Sequence, residues 1–464
     1  MMGRLPAGQN ALFYEFSIDN HVPQDHLLRA LDQFLDFGEL RTYLQPYYSA
    51  IGRPSIDPEL MVRMLLIGYC YGIRSERRLC EEVHLNLAYR WFCRLGLEDQ
   101  VPNHSTFSKN RHGRYRDAEL FRHVFESVVT RCVDEGLVAG EGFAIDASII
   151  KADANRARGF PGNEGVDWER PGRKTRAVRE YLDALDNDSE QVTAHEATRK
   201  AISLTDPSSC WTSSVGGPAF YAYSTNYLID TQCAIIVDAR GCSATLRQER
   251  AAARTMLDYA EERFSLKPEV LIGDTGYGTA DLLGWLVEEK QITPHIPVFD
   301  KSEGKQELFG RSDFTWDPEH DHYLCPAGKS VGRNHRNFKN KRTGITKDNT
   351  ITYRASQSDC GPCPLKAQCS PTTPARKIER SIHEDARDLA RSLKHTEAYA
   401  QSRNARKKVE MLFGHLKRIM RFDRLRLRGP NGANDEFLLA ATVQNLRKMA
   451  KLLGHPDENS LITT

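Results

Sequence analysis

The amino-acid sequence predicts an α/β fold preceded by a helical amino-terminal part and interrupted by a cysteine-rich insertion. Three observations carry this. Up to about residue 137, apolar residues recur at helical spacing behind clear helix starts. From Gly142 to Val298, short apolar runs broken by glycines alternate with helix-period stretches, which suits a layered sheet. From Glu303 to Arg376 the chain is polar and Gly-rich, shows little apolar periodicity, and holds four of the eleven cysteines. The expected division is 1–137, 138–302 with a polar insert at 151–209, 303–380, and 381–464.

In the amino-terminal part, Asp25 to Phe37 is amphipathic. Asp57-Pro58-Glu59 is a strong helix start, with Asp as N-cap and Pro in the first turn, and the helix should run to about Tyr71. Ser75 can cap another helix that runs through Leu79, Val83, Leu87 and Trp91. Val101 to Arg111 reads as a short capped helix dense in donors, and a long helix follows from Asp117 to Asp134. Short helices joined by tight turns can present a helix-turn-helix to DNA, with Ser105, Lys109 and Arg111 as phosphate contacts. The alternative is an all-helical packing or dimerisation domain.

The first sheet element is Gly142 to Ile150. Read with period two, Phe143, Ile145, Ala147 and Ile149 share one face and Ala144, Asp146 and Ser148 the other. An Asp inside an apolar strand is disfavoured by propensity and costly to bury unpaired. The insert 151–209 is rich in charge, with a helix expected at Arg176 to Leu185, and reads as a flexible excursion over the surface. Strands are expected at Ala219 to Ile229 and Cys233 to Val237, then a helix from Gln248 to Phe264. Val270-Leu-Ile-Gly-Asp274 is a short apolar strand ending in Asp and followed by Thr-Gly-Tyr-Gly. In open α/β sheets that carboxyl end is where ligands bind. A helix from Thr279 to Glu289 and a strand at Thr293 to Val298 complete the layer.

Within the insertion, Cys360-Gly-Pro-Cys363 is a CxxC, Cys369 follows, and Cys325 stands upstream. Four thiolates on a structural Zn²⁺ would supply folding energy that this polar segment lacks, with His322 as a substitute ligand. Reduced, unliganded thiols are the alternative. The other seven cysteines lie mostly in apolar patterns and read as small core residues.

A late helix carries the most informative spacing. At ~100° per residue, Arg406, Glu410 and Lys417 fall on one stripe beside an apolar stripe of Val409, Leu412, Phe413, Leu416 and Met420. A carboxylate between two cations suits an acid that holds a metal and cations that hold a phosphate. Spaced salt bridges on an ordinary amphipathic helix are the alternative. A closing helix is expected from Glu436 to Leu453.

The formal charge of +2 does not announce a nucleic-acid binder, but its distribution does so more clearly. Between Arg403 and Arg428 there are ten Lys or Arg residues against two acids, Glu410 and Asp423. The run Arg418 to Arg428 alternates cations with apolar residues, and Arg403, Arg421 and Arg424 are expected along a DNA backbone. A solvated helix end followed by an exposed strand is the alternative. No apolar amino-terminal signal is visible, and the longest apolar stretch, Met64 to Tyr71, is too short to span a membrane. A cytoplasmic protein is expected, and with it reduced cysteines.

Asp146 in Ala-Ile-Asp-Ala-Ser, Asp274 in Gly-Asp-Thr-Gly-Tyr-Gly and Glu410 in its Arg/Lys stripe together resemble the bacterial insertion-sequence transposases of the DDE class, over nearly the whole chain. The Asp-Pro helix start and His-Ser-Thr-Phe segment of the amino-terminal part are similar to that family too, as is a cysteine-rich segment at this place. The resemblance implies an RNase H-like catalytic domain in which Asp146, Asp274 and Glu410 bind two Mg²⁺ ions, with Mn²⁺ as a substitute. Arg406 and Lys417 match a signature of Tyr, Arg, Glu and Lys, and would contact the scissile or an adjacent phosphate. The Tyr position is occupied by Arg403, while Tyr399 lies one turn earlier on the same stripe. The implied partners are double-stranded DNA, as transposon ends with terminal inverted repeats and as target, and further copies of the chain in a dimer or larger synaptic complex. No membrane and no small-molecule substrate is implied. A metal-dependent nuclease of the same fold, or a non-enzymatic DNA-binding descendant, are the rival functions.

Overall fold

The computed structural model describes residues 16–49, 51–52, 55–162, 166–170, 172–187, 200–213, 216–299, 308–333 and 344–454. The helices named below are, in chain order, α1 (Leu27–Asp32), α2 (Pro58–Cys70), α3 (Glu76–Leu85), α4 (Leu87–Phe92), α5 (Ser105–Arg111) and α6 (Leu120–Asp134). There follow α7 (Arg176–Asn187), α8 (Leu246–Phe264), α9 (Ala280–Gly284), α10 (Glu384–Leu393), α11 (Glu397–Arg418) and α12 (Gly429–Leu453). The strands are β1 (Gly142–Lys151), β2 (Gly159–Pro161), β3 (Ala201–Ser203), β4 (Cys210–Ser213), β5 (Ala219–Asp230), β6 (Ile236–Ser243), β7 (Val270–Ile272) and β8 (Thr293–His295). A further five are β9 (Thr315–Asp317), β10 (His322–Leu324), β11 (Ser330–Arg333), β12 (Thr350–Ala355) and β13 (Lys377–Ser381).

Local chemistry decides the ends. The Asp57 side chain accepts from the Glu59 N–H at 2.8 Å with Pro58 at the first position, as the sequence implies. The helix expected from Ser75 through Trp91 is divided, because the Asn86 side chain accepts from the N–H groups of Ala88 and Tyr89 and starts α4 afresh. At Glu119 a left-handed backbone, φ +47°, delays α6 to Leu120. Beyond Gly284 the helix after Asp274 continues as a five-residue π turn, Trp285–Glu289.

By packing, the chain forms two units. The first comprises Met1–Ala139, Ala147–Leu266 and Val409–Thr464. This differs from the expected 1–137 and 138–302 division, because α12 packs with α2, α6 and β6 alike. Sixteen of its side chains or backbones from Gly429 to Ala450 are buried, the pattern of a helix apolar on almost every side. Its polar exceptions are bonded. Asn445 accepts from the Ile236 N–H at 2.9 Å and donates to the Ile236 carbonyl at 2.8 Å, and Gln444 donates to the Leu412 carbonyl at 2.9 Å. Glu436, 1% exposed, accepts from Arg74 and from the N–H groups of Arg426 and Leu427, both at 2.6 Å. Gly241 of β6 lies where a Cβ would stand 2.9 Å from the Phe437 ring, so glycine permits the close approach of strand and helix.

In this unit β5 pairs antiparallel with β4 and β6 and also borders β1. The insert after β1 is partly built into the fold: β2 and β3 pair antiparallel, and Ala177, Val178 and Tyr181 of α7 are buried. The run Arg418 to Arg428 is neither a helix end alone nor a strand. Met420, Phe422 and Leu425 are fully buried between exposed cations, and Leu425 donates to the Lys151 carbonyl at 2.7 Å.

The second unit comprises Gly140–Asp146 and Lys267–Lys408. Gly142, Phe143 and Ala144 of β1 pair in parallel with Val270, Leu271 and Ile272 of β7, which pair in parallel with Thr293, Pro294 and His295 of β8. Phe143, Ala144 and Ile145 are all buried, so β1 is covered on both faces here instead of alternating. The cysteine-rich insertion has its own core. Strands β9 to β13 form an antiparallel sheet in the order β13-β12-β11-β10-β9, around Phe314, Tyr323, Val331, Tyr353, Ala355 and Ile378.

Glu384 opens α10 at 1% exposure and meets three guanidinium groups, Arg311 at 2.5 Å and Arg387 and Arg391 at 2.9 Å each. Burial pushes its pKa up, but the Arg311 hydrogen bond and charge, with Arg387 and Arg391, outweigh this and bring it to about 2 from 4.5. A depressed carboxyl pKa stabilises the fold above the unfolded value and ceases to do so as pH falls through the folded one. Between pH 5.5 and pH 2 this group should therefore cost the fold about 3 kcal/mol. Urea unfolding of wild type and Glu384→Gln across that range measures it: the difference between the two should shrink as pH falls, and a pH-independent difference contradicts the assignment.

Candidate active site

Asp146 and Asp274 are brought to equivalent places in the second unit. Each lies two residues beyond the last paired residues of neighbouring parallel strands, Ala144 of β1 and Ile272 of β7. Gly273 fits closely between Ile296 and Ile145. The Asp274 carboxylate accepts from the Gly276 N–H at 2.8 Å and caps a single 3-10 turn, Thr275–Tyr277. Gly278 then passes so near the backbone after β8 that a Cβ would overlap the Pro297 carbonyl oxygen, and Phe299 donates to the Gly278 carbonyl at 2.7 Å. The Gly-Asp-Thr-Gly-Tyr-Gly run is thus a turn whose last position only glycine can fill.

Helix α11 brings Arg406 to the first of these acids. Its Nη2 stands 4.0 Å from Asp146 Oδ2, with the side chains 30% and 16% exposed. Arg406 Nε is buried and has no hydrogen-bond partner among the described residues. A donor left so beside a carboxylate has unused capacity for an anionic oxygen. Glu410 follows Arg406 by one turn of the same helix and is exposed; Lys417 is in the last turn and exposed. Among the described residues no three His, Cys, Asp or Glu side chains gather closely enough to hold a metal ion. The donor chemistry at Asp146 and Asp274 nonetheless fits a hard divalent cation, which takes oxygen ligands and keeps several waters.

The four-cysteine zinc site is not formed among these residues. Cys325, Cys360 and Cys369 pack against the apolar cluster of the small sheet, which supplies the core that zinc was expected to replace. Cys325 Sγ accepts from the Lys329 N–H at 3.3 Å. Burial raises the Cys369 thiol; Arg376 opposes this, and Cys360, Cys325 and Cys363 add to it. His322 lies 3.9 Å from Asp317. Cys70, Cys93 and Cys132 are buried core residues, and every cysteine is a free thiol.

The residues expected at DNA phosphates fall into two groups. Ser105, Lys109, Arg403, Arg421 and Arg424 are exposed. Arg424 lies 3.5 Å from Asp153, and Arg421 has φ +53°. Arg111 corrects the expectation: it is 5% exposed and bound to Glu76 at 2.5 Å, so its charge faces the interior.

Sequence reading passed over His295 and Ser402. His295 ends β8 as Asp274 follows β7, at 5% exposure, and its Nδ1 lies 2.6 Å from Ser402 Oγ on α11. A histidine at the carboxyl end of a short strand beside the Asp274 strand was the available signal.

Two protein-family models match the chain. Transposase domain (DUF772) covers residues 16–113, and Transposase DDE domain covers 324–450, including Arg406, Glu410 and Lys417 but neither Asp146 nor Asp274. No solved structure matches the chain. Among the described residues no helix is long and apolar enough to cross a membrane.

Proposed function

The chain is a DNA transposase of the DDE class, and on that premise we propose that Asp146, Asp274 and Glu410 are its catalytic acids in an RNase H-like core, acting at the terminal inverted repeats of an insertion sequence. The observation that carries the reading is the placement of Asp146 and Asp274 two residues beyond the paired stretch of neighbouring parallel strands, with Arg406 beside Asp146. Asp146, Asp274 and Glu410 would hold two Mg²⁺ ions, or Mn²⁺ in their place. Such a pair, when bound, activates the attacking oxygen, stabilises the leaving oxygen and neutralises charge at phosphorus.

The chain's own residues supply the remainder. The Gly276 N–H fixes one Asp274 oxygen and leaves the other as a ligand. Arg406, whose side chain is partly exposed, would grip a phosphate oxygen adjacent to the scissile bond with its guanidinium fork. Lys417 meets the same backbone as a point charge. Ser105 and Lys109 in the helical amino-terminal region, with Arg403, Arg421 and Arg424, contact phosphates that set the register of the DNA. Synapsis of two ends calls for at least a dimer.

The test is cleavage of a labelled duplex carrying the element's own end, with Mg²⁺ and with EDTA, by wild type and Glu410→Gln. Metal-dependent nicking at the end by wild type only is expected. Equal nicking by both would remove Glu410 from the site, and binding without nicking by either would leave a DNA-binding protein. Joining of the cut end to a second duplex separates a transposase from a nuclease.

A further inference from the structure

We propose that His295 is a positioning residue for the transfer reaction, setting the rotation of α11 through Ser402 and thereby the placement of Arg406 and Glu410. The inference rests on the catalytic reading above. His295 closes β8 opposite Ile272 of β7, so it occupies the carboxyl end of the strand next to the one that delivers Asp274. Its side chain turns to the helix: Nδ1 is 2.6 Å from Ser402 Oγ, and the ring lies 5.4 Å from that of Tyr399 at a tilt of 50°.

Ser402, Arg406 and Glu410 follow at four-residue steps, so on a helix they share one stripe. A helix free to turn about its axis would swing all three. Tyr399 and Ser402 lie in its first two turns, so the His295 contact fixes the helix before the functional residues begin. The pair is also short and shielded, with His295 at 5% exposure. Burial lowers the imidazole pKa. Either tautomer completes the bond, because a hydroxyl both donates and accepts. A serine inside a helix commonly bonds the carbonyl four residues back; here its oxygen meets a residue of the sheet.

The experiment compares wild type, His295→Phe, Ser402→Ala, the double variant and His295→Asn. Phenylalanine keeps the ring against Tyr399 and removes the nitrogen; asparagine restores a polar nitrogen or oxygen near the Nδ1 position. Amide hydrogen exchange is followed over 397–410, and nicking of the labelled end is followed against metal concentration. Expected are faster exchange confined to that segment and about a 10²-fold loss of nicking. DNA affinity and melting temperature should stay near wild type, and the metal requirement should shift upward. The double variant should be no worse than either single one, and His295→Asn should recover most of the loss. Unchanged exchange, multiplying effects, or losses that track DNA affinity and melting temperature would overturn the proposal. If wild type itself does not nick, the catalytic reading falls, and the exchange result alone decides whether His295 fixes the helix.

Discussion

Asp274→Asn should abolish metal-dependent cleavage, by about 10³-fold or more, while the protein folds and binds DNA as before. The choice of Asn matters because Asp274 has two duties. Its side chain accepts from the Gly276 N–H at 2.8 Å and caps the turn that follows, a duty an amide oxygen performs about as well. What Asn lacks is the negative charge that a divalent cation requires. Stability in urea should change by no more than about 0.5 kcal/mol. DNA affinity should hold or rise slightly, since one charge repelling a polyanion is gone. Cleavage by the variant at the wild-type rate would remove Asp274 from the site, and lost folding would show that the cap was its principal role.

The largest stability effect is expected at Glu436. This carboxylate lies 1% exposed on α12 and accepts from Arg74 and the N–H groups of Arg426 and Leu427. Arg74 is itself buried between Tyr69 and Phe422, with its guanidinium 4.8 and 4.1 Å from their ring centroids. Glu436→Ala leaves that cation without its counter-charge and orphans two backbone donors, which should cost about 3–5 kcal/mol in urea unfolding. Replacing both partners removes the uncompensated charge, so Arg74→Met with Glu436→Gln should recover a large part of the loss. A loss under about 1 kcal/mol for Glu436→Ala would mean that water reaches the pair.

Features whose cause lies within a few residues were legible in the sequence. The Asp57-Pro58 start, the Gly-Asp-Thr-Gly-Tyr-Gly turn, the Asp inside β1 and the Asp just after β7 all declared themselves through local chemistry. Those decided at long range did not. Arg111 reads as a surface donor until Glu76, 35 residues away, is folded against it. His295 meets Ser402 across 107 residues, and no periodicity marks such a pair. The cysteine-rich insertion looked too polar to fold unaided because its aromatic core residues Phe314, Trp316, Tyr323 and Tyr353 are spread over short strands that no window joins. Asn86 was hidden for a different reason: the hydrophobic spacing of α3 runs on into α4, and only the cap interrupts it.

The segment after α11 has a consequence for how this protein meets a polyanion. Met420, Phe422 and Leu425 are buried, Glu436 holds the N–H groups of Arg426 and Leu427, and Asp153 holds Arg424 and Arg428. Fixing a residue's backbone costs roughly 1–2 kcal/mol, and folding has already met that cost here. The arginines therefore resemble the teeth of a comb more than beads on a string, and their spacing exists before any partner arrives. Such preorganisation leaves mainly side-chain order to be lost on association. A face so preorganised would favour an anion whose own repeat matches the comb, whereas a floppy tail of equal charge would accept any.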